Sequence, residues 1–201
     1  MSVSDLKAQK DATRKTVLQA RNALPEAVRQ NAAQAVMEHF LKELNLHALN
    51  IPAGASISGF WPIRSEIDPR PLMQALEQRG FQLCLPAVLD TQTIEFRAMS
   101  FTDRLVETGF GTYGPAENAA IIAPDVMLVP LAAFDRHGQR IGYGAGYYDR
   151  AIAALHHKNK FPLLIGVAFD VQRVDQIAYE LHDVALNYLL TETGLIAAQH
   201  G

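Results

Sequence analysis

The sequence has little of several features that would assign a function class directly. Cys84 is the only cysteine in 201 residues, which excludes an intramolecular disulfide and a thiolate-rich zinc site. It lies in an apolar run and is expected to be a buried, inert thiol. No run approaches the ~20 apolar residues of a membrane span, and the polar N-terminus has no apolar signal core. The formal net charge of −3 argues against a broad nucleic-acid surface, although it does not exclude a local basic site. These absences favour a reduced, cytoplasmic setting without a nucleic-acid or membrane partner.

The hydrophobic pattern predicts an α/β fold. A length of 201 residues, 49% hydrophobic and 19% charged, suits one domain over 1–201 with a substantial core. Predicted helices cover 4–23, 26 to about 46, 69–79 and 151–155, with a helical piece near 171; predicted strands cover 55–61, 81–85, 93–99, 126–134, 161–169 and 188–190, and a loop covers 108–124. The alternation predicts a three-layer αβα domain with a mostly parallel or mixed central sheet. A ligand cleft is expected where the loops after Trp61 and Phe134 meet at the strand ends.

The segment 138–150, GQRIGYGAGYYDR, carries the strongest functional signal. It follows an apolar run, precedes a helix-forming segment, and contains alternating glycines at Gly142, Gly144 and Gly146. Missing Cβ atoms let backbone N–H groups approach phosphate oxygens, and a helix N-terminus favours the negative charge. Arg140 and Asp149 add an anion partner and a candidate metal ligand. On glycine spacing alone, a tight structural loop explains the segment equally well.

The N-terminal helix carries a second clue. At 100° per residue, one face has a basic ridge beside an apolar stripe; the ridge is Lys7, Lys10, Arg14 and Arg21, and the stripe is Leu6, Val17, Ala20 and Leu24. The stripe can dock the helix on the protein. The ridge is either a solvated charged face or a set of phosphate contacts.

A third clue lies in the polar cluster Glu180, His182 and Asp183, which is placed between apolar stretches. Carboxylates together with phosphate oxygens and waters are preferred surroundings of magnesium. A His-Asp pair is also a common cap or surface hydrogen bond, so the residues by themselves leave both interpretations open.

Residues 130–135, PLAAFD, followed by the glycine segment, closely resemble the signature of the 5-formyltetrahydrofolate cyclo-ligase family, also called 5,10-methenyltetrahydrofolate synthetases. Further similar segments follow in order, and the matches span about residues 7–192: Lys10 to Arg14 with Arg21, Phe60-Trp61, Glu66 to Asp68, Val167 to Phe169, Gln172, Glu180 to Asp183 and Leu189 to Glu192. The glycine block is specific, whereas the N-terminal match is weak by itself.

The resemblance implies an ATP- and magnesium-dependent conversion of 5-formyltetrahydrofolate to 5,10-methenyltetrahydrofolate. ATP phosphorylates the formyl oxygen, and the substrate's N10 closes the ring from an iminium phosphate and expels phosphate. Such a reaction needs charge neutralisation and alignment of two ligands rather than a protein nucleophile. A monomer or a weak homodimer is expected.

The resemblance also assigns residues. Contacts to ATP are implied for Lys10, Arg14, Arg140, Gly142, Tyr143, Gly144, Ala145, Gly146, Tyr147 and Tyr148. The implied magnesium residues are Asp149 and Asp183, and the folate residues are Trp61, Glu66, Tyr143 and Tyr147. The implied catalytic residues are Arg140, Tyr147 and Asp149, and residues 1–24 are expected to pack their basic helix on the ATP site.

Two departures from the family pattern bear on these roles. Ala145 replaces a usual glycine or lysine, and Ala178 replaces a common proline. Two alternative functions stay open: a divergent ATP-using relative acting on another small carboxylate or pterin-like substrate, and a non-catalytic nucleotide-binding regulator.

Overall fold

The computed structural model of the chain describes residues 3–45, 47–107, 113–180 and 183–199. Within these ranges the helices are α1 (Val3–Asn22), α2 (Glu26–Asn45), α3 (Arg70–Gln78) and α4 (Tyr147–His157), with a short 3-10 turn at Asp170–Gln172. The strands are β1 (Ser56–Ser58), β2 (Gln82–Val88), β3 (Ile94–Met99), β4 (Val106–Glu107), β5 (Tyr113–Gly114), β6 (Val126–Pro130), β7 (Ala133–Phe134), β8 (Arg140–Ile141), β9 (Leu163–Val167), β10 (Tyr188–Thr191) and β11 (Gly194–Ala197).

Seven strands of the described ranges form the central sheet in the order β11-β10-β9-β6-β1-β2-β3. Every neighbouring pair from β10 through β2 is parallel, whereas β11 and β3 pair antiparallel with β10 and β2 at the two edges. Two separate hairpins pair β4 with β5 and β7 with β8. The mostly parallel, mixed sheet confirms the predicted α/β class.

Helices cover both faces of the sheet. Successive side chains of a strand point to opposite faces, so Leu128 packs in the cluster with α2 and α3, while Met127 packs in the cluster with α4. Both side chains are fully buried. Strands that are buried on both faces are typical of parallel sheets between helical layers. The predicted three-layer αβα arrangement is therefore confirmed.

The N-terminal helix packs beside the β7–β8 hairpin. Val17 of α1 is buried with Ala133, Ile141 and Ile177 in a small cluster of its own. The observed bounds of α1, α2 and α3 agree with the predicted helices within two residues, and Leu46, the expected end of α2, lies outside the described residues.

The predicted strand 126–134 is wrong in one respect, because it is divided into β6 and β7. Pro130 ends β6, and the chain then turns so that the Ala132 N–H donates to the Ile141 carbonyl at 2.7 Å. The buried Gln172 amide donates to the carbonyls of Leu131 and Ala132 at 2.8 and 3.0 Å and stabilises this turn. The glycine segment consequently follows the short strand β8 rather than the buried strand directly.

Two other strands differ in length from their predictions. β1 ends at Ser58 rather than at Trp61, and the chain beyond it leaves the sheet toward the cleft described below. β2 continues past Leu85 to Val88, because the antiparallel partner β3 pairs with it throughout, Pro86 lying opposite Phe96.

The C-terminal region also differs from its predictions. β9 is shorter than 161–169, and Phe161 before it is exposed. β10 does not close the sheet, because β11 adds an antiparallel edge strand that the sequence pattern did not indicate. The predicted helical piece near 171 is confirmed as the 3-10 turn.

The predicted loop 108–124 is partly wrong, since Tyr113–Gly114 pairs with Val106–Glu107 as a hairpin. Residues 108–112 lie outside the described part of the chain. Among the helices that are described, none is long and apolar enough to cross a bilayer.

Candidate active site

A cleft of about 330 Å³ opens at the carboxyl ends of β1, β2 and β6. Its lining from these strand ends and from neighbouring segments is mostly apolar: Phe60, Trp61, Ile63, Glu66, Pro86, Val88, Ile94, Tyr113 and Pro130. The remaining lining comes from the glycine segment: Arg140, Gly142, Tyr143, Ala145, Gly146, Tyr147, Tyr148 and Asp149. The loops after Trp61 and Phe134 therefore meet, as predicted. Ten of the predicted site residues line the cleft, whereas Lys10, Arg14, Gly144 and Asp183 are not among its lining.

The glycine loop needs two of its glycines for backbone reasons. Gly144 has φ 101° and Gly146 has φ 68°, both in the left-handed region that disfavours residues with a Cβ. Ala145 between them has no positive φ, so the alanine fits the loop without backbone strain. Open space surrounds Gly142 and Gly144, since a Cβ at either would meet nothing within 4 Å.

The loop leads directly into α4, whose N-cap is Gly146. No side chain of the described residues caps this helix, so N–H groups of its first turn lack the usual side-chain acceptor. Such an N-terminus favours an anion through its free donors and its dipole. The glycine loop and α4 together form an arrangement suited to a phosphate group.

Arg140 and Asp149 form the central ion pair of the cleft. The Arg140 guanidinium donates to Asp149 Oδ1 at 2.5 Å and also to the Val184 carbonyl, and its side chain is only 5% exposed. Burial lowers the pKa of Arg140, while the charges of Asp149 and Asp183 oppose that change. The guanidinium is thus paired with one of the two carboxylates to which the resemblance gives a magnesium role and interacts with the charge of the other.

The basic ridge of α1 faces the protein. Lys10 Nζ contacts Asp183 Oδ2 at 2.6 Å and Glu180 Oε2 at 3.6 Å, and Arg14 Nε donates to the Gly142 carbonyl at 2.8 Å. Only Lys7 of the ridge is exposed, so a wholly solvated face is the wrong interpretation. His182, a member of the polar cluster with Glu180 and Asp183, lies outside the described residues.

The donor set fits a magnesium ion that arrives with phosphate. Asp149, paired with Arg140, and Asp183, paired with Lys10, offer hard oxygen ligands, and magnesium commonly takes one or two carboxylates plus phosphate oxygens and waters. Across the described ranges, no group of three or more metal-ligating side chains forms a complete metal centre. The residues therefore suit a metal–phosphate complex rather than a free ion.

The other end of the cleft combines an apolar wall with one carboxylate. Glu66 is half-buried, and its Oε2 accepts the Ile63 N–H at 2.8 Å. Burial raises the pKa of Glu66, and hydrogen bonds from Tyr143 and Ile63 partly offset that rise. The Arg70 guanidinium lies 5.0 Å from the Trp61 ring centre, which fixes the indole from outside. A flat heterocycle with N–H donors suits this end.

Two consecutive tyrosines begin α4 and differ in their hydrogen bonds. The Tyr147 hydroxyl donates to the Asp90 carbonyl at 3.1 Å, and Arg150 stacks on its ring with 5.5 Å between charge and ring centre. The Tyr148 hydroxyl is buried and has no hydrogen-bond partner in the described structure, and burial raises the pKa of this tyrosine. A buried hydroxyl without a partner is rare, and a ligand oxygen in the cleft would supply one.

Arg21 is the residue whose place the sequence reasoning missed. It is 2% exposed, donates through Nε to Ser65 Oγ at 3.0 Å and through a terminal nitrogen to the Tyr143 hydroxyl at 2.5 Å. Its position on the basic ridge was a signal, but its burial depends on how α1 docks. Nothing in the sequence indicated that residues of β2 and β3 line the cleft, because apolar residues in a strand look the same whether they face a cleft or the core.

The fold and the cleft define a class: an α/β protein with a glycine loop and a helix N-terminus placed to hold an anion beside an apolar pocket. Residues 6–192 match the model of the 5-formyltetrahydrofolate cyclo-ligase family. The chain belongs to this family, which confirms the family and the enzyme class predicted from the sequence.

Relatives agree with this assignment. A 5-formyltetrahydrofolate cyclo-ligase of Mycolicibacterium smegmatis is 34% identical over 203 residues, which cover 94% of this chain and 96% of the relative. The structure of Aquifex aeolicus 5,10-methenyltetrahydrofolate synthetase matches with TM-score 0.75 and 26% identity, covering 96% of this chain and 94% of that one. The Mycoplasma pneumoniae synthetase structure, at 24% identity, supports the fold with TM-score 0.69, covering 91% of this chain and 98% of that one.

Proposed function

We propose that this chain catalyses the ATP- and magnesium-dependent cyclisation of 5-formyltetrahydrofolate to 5,10-methenyltetrahydrofolate, with ADP and phosphate as the other products. One observation carries the proposal: a single cleft of about 330 Å³ joins an anion-binding loop to an apolar end with one carboxylate. The two ends match the two substrates. We expect the active form to be a monomer or a weak homodimer.

At the phosphate end, the glycine loop and the N-terminus of α4 bind the ATP phosphates. Arg14 on α1 contacts this loop and Lys10 on α1 contacts Asp183, and both approach the phosphates from outside the cleft. Asp149 and Asp183 hold magnesium, which when bound neutralises phosphate charge. Arg140, which is paired with Asp149, stabilises the charge that develops during phosphoryl transfer.

At the apolar end, Trp61 packs on the pterin and Glu66 accepts its N–H hydrogen bonds. Tyr147, which lines the cleft at the start of α4, orients the formyl group. Binding both substrates in one cleft replaces a bimolecular encounter by an aligned one.

The chemistry then requires no protein nucleophile. The formyl oxygen attacks the γ-phosphorus of ATP, the bond to the bridging oxygen breaks, and ADP leaves. The resulting N5-iminium phosphate carries a good leaving group on its carbon. N10 of the folate attacks that carbon, the carbon–oxygen bond breaks, phosphate leaves, and N10 loses its proton as the methenyl ring forms.

The test is the absorbance of the methenyl product with purified protein, 5-formyltetrahydrofolate, ATP and magnesium. We expect a rise that requires all components and that disappears when any one of them is omitted. A flat trace from folded protein that still binds ATP would contradict the proposal. ATP hydrolysis with another small carboxylate or pterin-like substrate would then favour a divergent relative, and magnesium–ATP binding without turnover would favour a regulator.

A further inference from the structure

A buried hydrogen-bond relay connects helix α1 with the apolar end of the cleft. Arg21 donates to the Tyr143 hydroxyl at 2.5 Å, and the guanidinium carbon lies 5.6 Å from the Tyr143 ring centre. Tyr143 and Glu66 both line the cleft, and the Tyr143 hydroxyl lowers the pKa of Glu66 against the effect of burial. Since a guanidinium only donates, the Tyr143 hydroxyl accepts from Arg21 and keeps its own proton for a second acceptor, and Glu66 in the same cleft lining offers one.

The fold holds Arg21 rigidly. Its Nε donates to Ser65 Oγ at 3.0 Å, and Ser65 Oγ in turn donates to Asn22 Oδ1, one residue after Arg21 on α1. Ser65 is also buried and directly precedes Glu66. The arginine and the carboxylate are therefore joined twice, through the tyrosine and through the backbone of one loop.

The relay has a definite electrostatic effect. Accepting a hydrogen bond from a cation makes the Tyr143 hydroxyl a stronger donor, because linked hydrogen bonds polarise one another in a low dielectric. Burial and the nearby Glu66 raise the pKa of Tyr143, so its hydroxyl keeps the proton it donates. Arg21 is almost wholly buried, and such a cation needs a counter-charge, which Glu66 supplies.

We propose that Arg21 is a positioning residue for folate binding: through the Tyr143 hydroxyl it holds Glu66 as an ionised, oriented hydrogen-bond acceptor at the pterin end of the cleft. This inference rests on the proposed function. It assigns to the most buried residue of the basic ridge a task at the folate end, in contrast to Arg14, which contacts the glycine loop, and Lys10, which contacts Asp183.

The relay predicts a pH dependence of folate binding. The ionisable groups facing Glu66 are Arg21 from α1, Arg64 from the preceding loop, Tyr143 from the glycine loop and Tyr148 from α4. Arg21, Arg64 and Tyr143 lower the pKa of Glu66, against the effect of burial. Removing Arg21 or the Tyr143 hydroxyl therefore raises the pKa of Glu66. As the pH falls, the Glu66 carboxylate is then protonated, and stops being an ionised acceptor, at a higher pH than in the wild type.

The experiment measures 5-formyltetrahydrofolate affinity by calorimetry as a function of pH, without ATP. The variants are Tyr143→Phe, Arg21→Gln, Glu66→Gln and the double variants with Glu66→Gln. Tyr143→Phe removes only a hydroxyl, and Arg21→Gln keeps hydrogen-bonding capacity while removing the charge. Tyr188→Phe, on β10 and outside the cleft lining, is the matched control for the loss of a hydroxyl.

We expect Tyr143→Phe and Arg21→Gln each to weaken folate binding about tenfold near neutral pH, as for loss of a hydrogen bond to a charged group. Both should move the acid limb of the affinity profile to higher pH. In the Glu66→Gln background, neither change should alter the affinity by more than about twofold, because both act through the Glu66 carboxylate, which is already absent. The double-mutant cycle measures this dependence. A residue that only supports packing would weaken binding equally in both backgrounds and would leave the acid limb in place.

The outcomes separate the two claims. If the wild-type protein does not bind 5-formyltetrahydrofolate, the proposed function fails. If the wild type binds and Tyr143→Phe leaves affinity and acid limb unchanged, the relay is overturned, whether or not Arg21→Gln folds. Additive effects in the Glu66→Gln background would overturn it as well.

Discussion

Replacement of Asp149 by asparagine separates the catalytic role of the central ion pair from its structural role. Arg140 is 5% exposed and Asp149 is 30% exposed at a separation of 2.5 Å. Exposed pairs contribute up to about 1 kcal/mol, whereas breaking a fully buried pair costs about 3–5 kcal/mol. This pair lies between those limits, and asparagine keeps a neutral hydrogen bond. We therefore expect Asp149→Asn to lower the free energy of unfolding by about 1–3 kcal/mol.

The expected effect on turnover is larger than this stability loss can explain. The substitution removes a proposed magnesium ligand and leaves Arg140 without its hydrogen-bonded carboxylate. We expect turnover to fall at least ~100-fold, which corresponds to about 2.7 kcal/mol of activation free energy. The assays are urea unfolding and methenyl-product absorbance at saturating folate, both at a temperature where the variant is folded.

Glu95→Gln is the matched control. Glu95 pairs with Arg97 at 2.5 Å, with side chains 20% and 11% exposed, and neither residue lines the cleft. The control should lose comparable stability and keep its turnover. Equal turnover in the Asp149→Asn and wild-type proteins, or an equal loss in the two variants, would refute the assignment of Asp149 to the reaction.

Three further predictions concern the cleft and the core. Glu66→Gln should raise the KM for 5-formyltetrahydrofolate more than the KM for ATP, and a selective loss of ATP affinity would contradict its placement at the folate end. Gly144→Ala should destabilise the loop by about 1–2 kcal/mol in urea unfolding, because φ is 101° there, whereas Gly142→Ala, with no positive φ and open space around it, should cost less. Cys84 is fully buried and burial raises its pKa to about 12, so a thiol reagent at mildly alkaline pH should react only after unfolding; rapid reaction of the native protein would contradict that burial.

Sequence periodicity predicted the helices better than the strands. Helix bounds follow from local signals, such as the Pro25 break and Gly80, which has φ 84° two residues after α3. Strand bounds depend on partners that are distant in sequence. β2 continues through Pro86 because β3 pairs with it, and β11 exists because β10 offers an edge. The division of the strand 126–134 depends on Gln172, whose amide reaches the turn from a distant part of the chain.

The same distinction holds for the candidate site. The glycine segment is contiguous, so its residues, with Arg140 and Asp149, favoured an anion site over a structural loop, and their resemblance to a known signature predicted the family. The meeting of this loop with Trp61 and Glu66 also followed from parallel strands ending at one edge. The apolar lining carried no such signal, because Pro86, Val88 and Ile94 differ from core residues only by lying at the mouth of the cleft.

Local sequence patterns were sufficient to predict the α/β class, and the resemblance of contiguous motifs was sufficient to predict the family. The burial of Arg21 against Tyr143, while Lys7 of the same ridge is exposed, depends instead on the packed fold. Likewise, only the docking of α1 places Lys10 on Asp183, across 173 positions of the chain. A helix pattern fixes which residues share a face, but burial and charge pairing depend on the surface against which that face packs.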